Sequence, residues 1–417
     1  MARGDAYAAV LDPANELLDA RYLTRPSAGL PLWQLAGVSR RNGVESVSGA
    51  TGFSRGEALV RGAGEVVERY PVACVAATHW QFGDAESIQP APPPENADVS
   101  IQRWQEAGVC PPAHTPNELI WMAAEPLCRG ATTAVPVACA VAEHREARGC
   151  FDEHPSGWAS GLSVQAAARR AWNETIERDA FFAGWAGLTP IYALDARVAH
   201  GWLLDRLQRG NQRYAPTCAE AGIRVGVMPA SDGRWVGIVI RNDERRARVS
   251  IGLGCNEDLR AAVVCAGREA WQVSAFLEAT QRRSNAHCQP PGSEGAKARY
   301  LCSEDAVAAA TAYVASWEHL PVPVAGREEE DELHAGLLDP RLVLDQTDAV
   351  AIDMTGALPR PIQALGWHVV RVVSSHAFQF RADERLTYTW STARLSDFFD
   401  AEPSADWATG LPPHPLP

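Results

Sequence analysis

Apolar and polar residues follow two different periods along this chain, and the two periods predict helices and strands in turn. Three long stretches carry apolar residues at helical spacing and predict helices over Gly56–Val72, Val164–Trp185 and Asn256–Thr280. Two short runs rich in β-branched residues, Arg234–Ile240 and His368–Val373, predict strands. Because such helices and strands alternate, the predicted fold class is α+β, a mixed α/β fold.

Three polar segments separate these elements and predict connections. Residues 89–95 (QPAPPPE) are too rich in proline for a helix or a central strand. Residues 284–296 (SNAHCQPPGSEGA) predict an exposed loop. The acidic run at 326–332 (GREEEDE) predicts a solvated face or loop rather than a metal site.

The three predicted helices share one polar pattern. A glutamate, at 65, 174 and 269, follows an alanine by seven residues, and a second polar residue stands three positions later: Glu68, Glu177 and Gln272. Arginine comes next in the first two copies, as Arg69 and Arg178, and Gly52 and Gly161 stand thirteen residues before their glutamates. This spacing indicates an internal repeat with units roughly a hundred residues apart.

Each E-x-x-E-R face has two interpretations. Taken alone, it is typical of an exposed helix whose i,i+4 ion pairs contribute about 0.3–0.5 kcal/mol each. Its recurrence in separate parts of the chain favours acids that converge on one site. Several carboxylates without cysteine or histidine suit Mg2+ bridged to phosphates, and Arg69 and Arg178 could contact phosphate oxygens. Since the chain has no GxxxxGK[ST] or GxGxxG motif, a nucleotide would be bound by this metal-and-arginine route.

Composition narrows the class of protein. The 417 residues carry a net charge of −13, which argues against a nucleic-acid-binding surface. The N-terminus does not resemble a signal peptide, and no run of eighteen apolar residues predicts a membrane span. Ten cysteines without metal-ligand spacing predict reduced thiols, with Cys255 and Cys265 in the core. We therefore expect a soluble, cytoplasmic protein.

Three segments resemble the nucleotide motifs of the YcaO family: residues 48–70 (SGATGFSRGEALVRGAGEVVERY), 156–182 (SGWASGLSVQAAARRAWNETIERDAFF) and 252–272 (GLGCNEDLRAAVVCAGREAWQ). The similarity covers roughly residues 40–380 and implies a YcaO-type fold, with repeated helix–sheet units around a central site for ATP and Mg2+. It implies metal ligands at Glu65, Glu68, Glu174 and Glu177, and cofactor-binding residues at Ser48, Gly52, Arg69, Ser156, Arg178, Glu269 and Gln272. Three positions depart from the family pattern: Thr51 replaces a frequent lysine, Ser156 a usual asparagine and Ala166 a frequent glutamate.

The resemblance also implies a reaction. Family members use ATP to phosphorylate a backbone amide oxygen of a peptide, after which a neighbouring Cys, Ser or Thr side chain closes an azoline ring. The end of this chain, PHPLP, would by itself suggest a disordered proline-rich tail or an SH3-type ligand. Azoline-forming members resemble it in ending with PxPxP, which implies a catalytic role for the carboxylate of Pro417. A thioamide- or amidine-forming enzyme, a non-catalytic ATP-binding scaffold and a plain α/β protein with salt-bridged helices are the alternatives.

The expected organisation is an N-terminal extension (1–40), a catalytic domain (41–400) and a proline-rich tail (401–417). The chain is about as long as the catalytic domain, so we expect a separate E1-like partner to bind the leader of a ribosomally made precursor peptide. Oxidation of an azoline would need a separate flavin dehydrogenase, because the chain lacks a dinucleotide motif. A homodimer is also expected.

Overall fold

The computed structural model describes most of the chain. Its described residues are 3–15, 17–27, 30–41, 44–77, 90–91, 97–106, 121–128, 133–136, 156–210, 222–283, 294–320, 327–378, 380, 390–399, 414 and 416. Helices and strands alternate along these ranges, which confirms the predicted α+β class. Among the described helices, none is both long and apolar enough to cross a membrane.

The first half of the chain begins with a helix and three strands. The elements run α1 (Arg3–Val10), β1 (Ala20–Thr24), β2 (Trp33–Arg41), β3 (Val44–Gly52), α2 (Arg55–Ala77), β4 (Pro90–Ala91), α3 (Ala97–Glu106), β5 (Trp121–Pro126), β6 (Thr133–Pro136), β7 (Trp158–Gly161) and α4 (Val164–Trp185).

The second half contains the longest described strand, of ten residues. Its elements are β8 (Tyr192–Ala193), α5 (Ala196–Gly210), β9 (Gly222–Ala230), β10 (Arg234–Asp243), β11 (Arg248–Asn256), α6 (Leu259–Arg283), α7 (Glu294–Tyr300), α8 (Glu304–Ala315), β12 (Glu318–His319), α9 (Arg327–Leu337), β13 (Ala349–Asp353), α10 (Arg360–Ala364), β14 (His368–Ser374) and α11 (Thr392–Leu395).

The described strands form three sheets. The first has the order β1-β2-β3, and the second has the order β11-β10-β9-β8-β12. The third has the order β4-β5-β13-β14-β7, with β6 also paired to β5. The strands β3, β11 and β7 each stand at the end of their sheet, and each leads into one of the three long helices.

These three strand–helix units pack in a ring. Besides its own strand, α2 contacts β7, α4 contacts β11 and α6 contacts β3. Ser160 Oγ of β7 donates a hydrogen bond to the carbonyl of Gly64 in α2 at 2.8 Å. Each helix therefore rests on its own strand and on the strand of the next unit, so the three sheets meet around the helices.

The interior explains why the second unit is so apolar. The C-terminal half of α4 is buried on nearly all sides, including Phe181 and Phe182, because β14 and β11 both pack against it. Burying a large apolar side chain stabilises the fold by about 1.5–3 kcal/mol. A second cluster beneath α2 is centred on Trp104, Trp121 and Trp367. These two apolar clusters therefore hold α2 and α4 in place against the sheets.

The predicted helices and strands agree with the structure, but one predicted connection does not. Both strands and all three long helices are confirmed, and the helix Val164–Trp185 has the predicted ends. The connection predicted over 284–296 is wrong at its end, because α7 begins at Glu294, whereas 284–293 lie outside the described residues. Residues 92–95 of the first proline-rich segment also lie outside them, and β4 is an edge strand there.

The acidic run is not a loop but the start of α9. Glu328 and Glu329 are exposed, as a solvated face requires, but Glu330 is buried and its Oε1 accepts a hydrogen bond from the Leu259 backbone amide at 2.6 Å. It therefore caps the first residue of α6. The expected division at residue 40 falls inside β2, which pairs with β3 along its whole length. Cys255 and Cys265, predicted in the core, are only half-buried.

Candidate active site

The three units start their helices in the same way. A side chain eleven residues before the first glutamate of each unit accepts a hydrogen bond from a backbone amide in the first helical turn, which is an N-cap. The bonds run from Glu57 N to Ser54 Oγ at 3.1 Å, from Ala166 N to Ser163 Oγ at 3.1 Å and from Ala261 N to Asp258 Oδ1 at 2.6 Å. The internal repeat is therefore a structural repeat of strand, turn, cap and helix.

The small residues of the repeat allow the strand to approach the helix. A Cβ atom at Gly52 would lie 2.4 Å from the Ala58 amide nitrogen, and one at Gly161 would lie 2.8 Å from that of Ala167. Both alanines are fully buried. Glycine is needed at these positions because any side chain would push the strand away from the helix and shift the glutamates that follow.

The polar face of α2 carries the first acid pair. Arg69 Nε donates to Glu65 Oε1 at 2.9 Å, and both side chains keep about a third of their surface exposed, at 35% and 28%. Burial and the carboxylates of Glu65 and Glu174 raise the pKa of Glu68 well above its usual range. Glu68 therefore holds a proton readily until a cation replaces it.

The polar face of α4 carries the second acid pair. Arg178 places NH2 3.5 Å from Glu174 Oε1 and NH1 3.7 Å from Glu177 Oε1, which are ion-pair distances. Its buried Nε has no hydrogen-bond partner among the described residues. Burial, together with the carboxylates of Glu269 and Glu174, raises the pKa of Glu177 to about 8.

The acids of different units act on one another. The charge of Glu174 raises the pKa of Glu68, those of Glu65 and Glu269 raise the pKa of Glu174, and that of Glu269 raises the pKa of Glu177. Such mutual effects require short distances across a poorly solvated space. The carboxylates of the three helices therefore interact electrostatically across one poorly solvated region, which we call the acidic cleft, and their convergence on one metal site stays a prediction.

The third helix plays a different part in this cleft. Glu269 Oε2 accepts a hydrogen bond from the Leu253 amide in β11 at 3.0 Å. Gln272 Oε1 accepts from Thr51 Oγ1 at 2.9 Å, and its Nε2 donates to the Gly49 carbonyl at 3.4 Å. Thr51, which stands where the family often has lysine, thus links β3 to α6. The third copy of the repeat therefore contributes contacts between elements as well as the charge of Glu269.

Arg61 is an exposed arginine of α2 that the sequence analysis missed. It stands four residues before Glu65, so helical spacing could have revealed it. The surrounding protein and the neighbouring charge of Arg268 lower the pKa of Arg61 to about 10. Two arginines are thus close together beside the acids. Ser48, in β3, and Ser156, just before β7, are both buried.

Below the cleft, α4 is fastened to the C-terminal segment by a buried ion pair. Arg394 donates from Nε to Asp179 Oδ1 at 2.9 Å and from NH2 to Asp179 Oδ2 at 2.6 Å, and the two side chains are 1% and 2% exposed. Asp179 Oδ1 also accepts from the Phe378 amide at 2.9 Å. Asp179 follows Arg178 directly, so this pair fixes the helix at the position of its site arginine.

The proline-rich tail also reaches α4. His414 and Leu416 are buried, with 2% and 1% of their surface exposed, and the His414 ring packs edge-on against Phe182 with centroids 5.1 Å apart. The ring centroids of Phe380 and His414 are 5.4 Å apart. The guanidinium carbon of Arg178 lies 5.7 Å from the centroid of the Phe380 ring. Pro417, the predicted catalytic residue, lies outside the described residues.

The cleft suits Mg2+ carried with phosphates. Within the described ranges, no three acidic, histidine or cysteine side chains enclose a metal site by themselves. Mg2+ needs only one or two protein carboxylates when phosphates and water supply its remaining ligands. The buried Nε of Arg178, which has no partner among the described residues, offers a donor for a phosphate oxygen. The residues present therefore fit a magnesium–nucleotide complex.

Comparison with known proteins gives a family and a fold. The model of the YcaO family, described as YcaO cyclodehydratase, ATP- and Mg2+-binding, matches residues 49–377. No curated protein sequence matches the chain. A structure of YcaO from Methanopyrus kandleri bound with AMPPCP and Mg2+ is similar, with a TM-score of 0.55 and 17% identity over 90% of this chain and 91% of that one.

Two further solved structures share the fold. A heterocyclase in complex with substrate and cofactor has a TM-score of 0.62 and 18% identity, over 99% of this chain and 56% of that one. A chain of the E. coli microcin synthetase McbBCD complex has a TM-score of 0.56 and 12% identity, over 86% of this chain and 88% of that one. Since the family model spans most of the sequence, the chain belongs to the YcaO family, whose cofactors are ATP and Mg2+.

Proposed function

We propose that this YcaO protein is an ATP-dependent cyclodehydratase that converts Cys, Ser or Thr of a ribosomally made precursor peptide to thiazoline or oxazoline. The observation that carries the proposal is the position of the tail: His414 packs on Phe182 and Phe380, one ring away from Arg178. The similar heterocyclase and microcin synthetase structures support the same class of reaction.

In this proposal Glu65, Glu68, Glu174 and Glu177 hold Mg2+, while Arg69 and Arg178 bind phosphate oxygens. Bound ATP supplies the phosphoryl group that turns the amide oxygen of the peptide into a leaving group. The protein residues keep the phosphates and the peptide carbonyl aligned, and the cleft limits access of water. The side-chain sulfur or oxygen would lose its proton and bond to the amide carbon. The amide oxygen would then leave with phosphate as the amide nitrogen loses its proton and the C=N bond of the azoline forms. Ser48, Gly52, Ser156, Glu269 and Gln272 are proposed to complete the nucleotide site.

Pro417 is proposed to act through its carboxylate, which would orient or deprotonate the attacking group. A polyproline II tail suits this task because it has little conformational entropy to lose on docking. The burial of His414 and Leu416 supports a docked tail. We propose residues 41–400 as the catalytic domain, to which the whole of β2 also belongs because it pairs with β3 across residue 40, and 401–417 as the tail that completes it.

Partner proteins follow from the same proposal. The E. coli microcin synthetase is a multiprotein complex, and one such structure has pro-MccB17 bound. We propose that an E1-like protein delivers the precursor to this chain in the cytoplasm, that the chain forms a homodimer, and that a flavin dehydrogenase performs any later oxidation.

Mass spectrometry of a precursor peptide co-expressed with the chain and its partner tests the proposal. Each ring formed lowers the peptide mass by one water, whereas thioamide formation would exchange oxygen for sulfur. Glu174→Gln should abolish the change, and Glu106→Gln, at an exposed position of α3 outside the cleft, should leave it intact. An unchanged peptide with a competent partner present would contradict cyclodehydration. Binding of Mg-ATP without peptide-dependent hydrolysis would instead identify a non-catalytic scaffold.

A further inference from the structure

Lys297 stands out by composition. The sequence contains 38 lysine and arginine residues, and Lys297 is its one lysine. Lysine carries a compact ammonium on a flexible stem, whereas arginine carries a wide planar guanidinium. The other 37 of these residues are arginine, so Lys297 carries the one side-chain ammonium of the chain.

That ammonium lies between two aromatic rings. Lys297 Nζ is 2.7 Å from His414 Nε2 and 3.0 Å from His414 Nδ1. The lone pairs of the two ring nitrogens point apart, so one ammonium cannot lie in the ring plane and contact both. It therefore lies against the face of the imidazole, and it is also 5.7 Å from the centre of the Phe380 ring. The contact with Phe380 is of the cation–π type.

These residues form a seat for the tail, made of Phe182, Phe380 and Lys297. Phe182 comes from α4 and Lys297 from α7, so the seat joins two separate parts of the fold. Phe380 faces two cations, because Arg178 of the acidic cleft lies as far from its ring as Lys297 does, at 5.7 Å. A continuous set of contacts thus leads from the tail histidine to a site arginine.

We infer that Lys297 is the positioning residue that holds the proline-rich tail, through His414, in its seat beside Arg178. Its effect on turnover rests on the proposed function, in which the tail takes part in cyclisation. The docking of the tail does not depend on that function. A contact of this kind at a partly buried site changes the docking equilibrium by about five- to thirtyfold.

Docking is tested by chemical modification of the amine. Because the chain has one lysine, acetylation by an N-hydroxysuccinimide ester reports on a single side chain, with the N-terminal amine as an internal reference. Mass spectrometry compares the wild type with His414→Ala and with deletion of residues 413–417. We expect acetylation of Lys297 to be about tenfold faster in both variants. Equal rates in all three proteins would overturn the inference.

Turnover is tested with Lys297→Met and a matched control. Arg299→Met removes one positive charge from the same short helix at an exposed position and should leave kcat unchanged. Lys297→Met should lower kcat about tenfold or more, keep the Kd for Mg-ATP within twofold, and be no worse when combined with His414→Ala. Wild-type kcat in Lys297→Met, alongside an inactive 413–417 deletion, would overturn the inference and leave the proposed function intact. If even the wild type fails to modify a peptide, the proposed function fails, and acetylation still decides the role of Lys297.

Discussion

Replacing Arg394 by methionine is expected to destabilise the protein strongly, because the change leaves a carboxylate buried without its cation. Asp179 is 2% exposed at its side chain and accepts two hydrogen bonds from Arg394, at 2.9 and 2.6 Å. Only the bond from the Phe378 amide would remain among these contacts. Removing one partner of such a buried pair costs about 3–5 kcal/mol. Asp397, the other partner of Arg394, is 30% exposed and can be solvated.

Urea denaturation, followed by tryptophan fluorescence, measures this loss as a change in the free energy of unfolding. With an unfolding entropy of about 2.1 cal/mol/K per residue, the same loss lowers the melting temperature by roughly 3–6 °C. The double variant Asp179→Asn/Arg394→Met should recover most of the lost free energy of unfolding. The neutral side-chain amide of asparagine needs no cation, and its oxygen can still accept the hydrogen bond from the Phe378 backbone amide.

A surface pair provides the control for this cycle. Arg209 lies 3.0 Å from Asp205, but the two side chains are 68% and 37% exposed, so Arg209→Met should cost less than about 0.5 kcal/mol. The reasoning would be refuted if Arg394→Met cost less than about 1 kcal/mol, or if the double variant were no more stable than the single one.

Three further predictions concern the cleft and its repeat. Burial raises the pKa of Glu177 from 4.5 to about 8, so between these pH values the folded protein keeps a proton that the unfolded chain has released. The free energy of unfolding of the metal-free protein should therefore decrease as the pH rises from 4.5 to 8. The decrease should be smaller in Glu177→Gln. For the same reason, Mg-ATP binding at pH 7 should release protons, seen by calorimetry in buffers of different ionisation enthalpy; no release would contradict the raised pKa. Gly52→Ala should cost about 1–3 kcal/mol on urea denaturation, whereas Gly56→Ala, where an added Cβ meets no atom within 4 Å, should not destabilise α2.

The repeated helices could be predicted because their signals are local. Alanine, glutamate and glycine recur at fixed offsets, and a helix places residues with those offsets on one face whatever surrounds it. The caps at Ser54, Ser163 and Asp258 belong to the same pattern, since each stands eleven residues before its glutamate, and attention to cap residues would have found them. Convergence of the faces on a shared ligand is a further prediction of the same pattern.

The remaining features depend on contacts between distant parts of the chain. Asp179 and Arg394 are 215 residues apart, and Lys297 and His414 are 117 apart, so no local pattern links the members of either pair. The same limit applies to Gln272. The family resemblance implies that Gln272 binds cofactor, whereas its hydrogen bond to Thr51, 221 residues away, depends on how α6 packs against β3.

The three units share a backbone arrangement, but the second unit also makes the contacts to the C-terminal segment and the tail. Its helix α4 supplies Glu174, Glu177 and Arg178 to the cleft, and the next residue, Asp179, anchors the C-terminal segment. One turn after Arg178, Phe182 contacts the tail. A single rigid helix thus fixes the acidic cleft, the C-terminal anchor and the tail seat at set distances. A ring of three equal units could not do this, because the tail occurs once and must meet the cleft from one side. The asymmetry of the repeat would suit the proposed site, in which one nucleotide and one tail are bound.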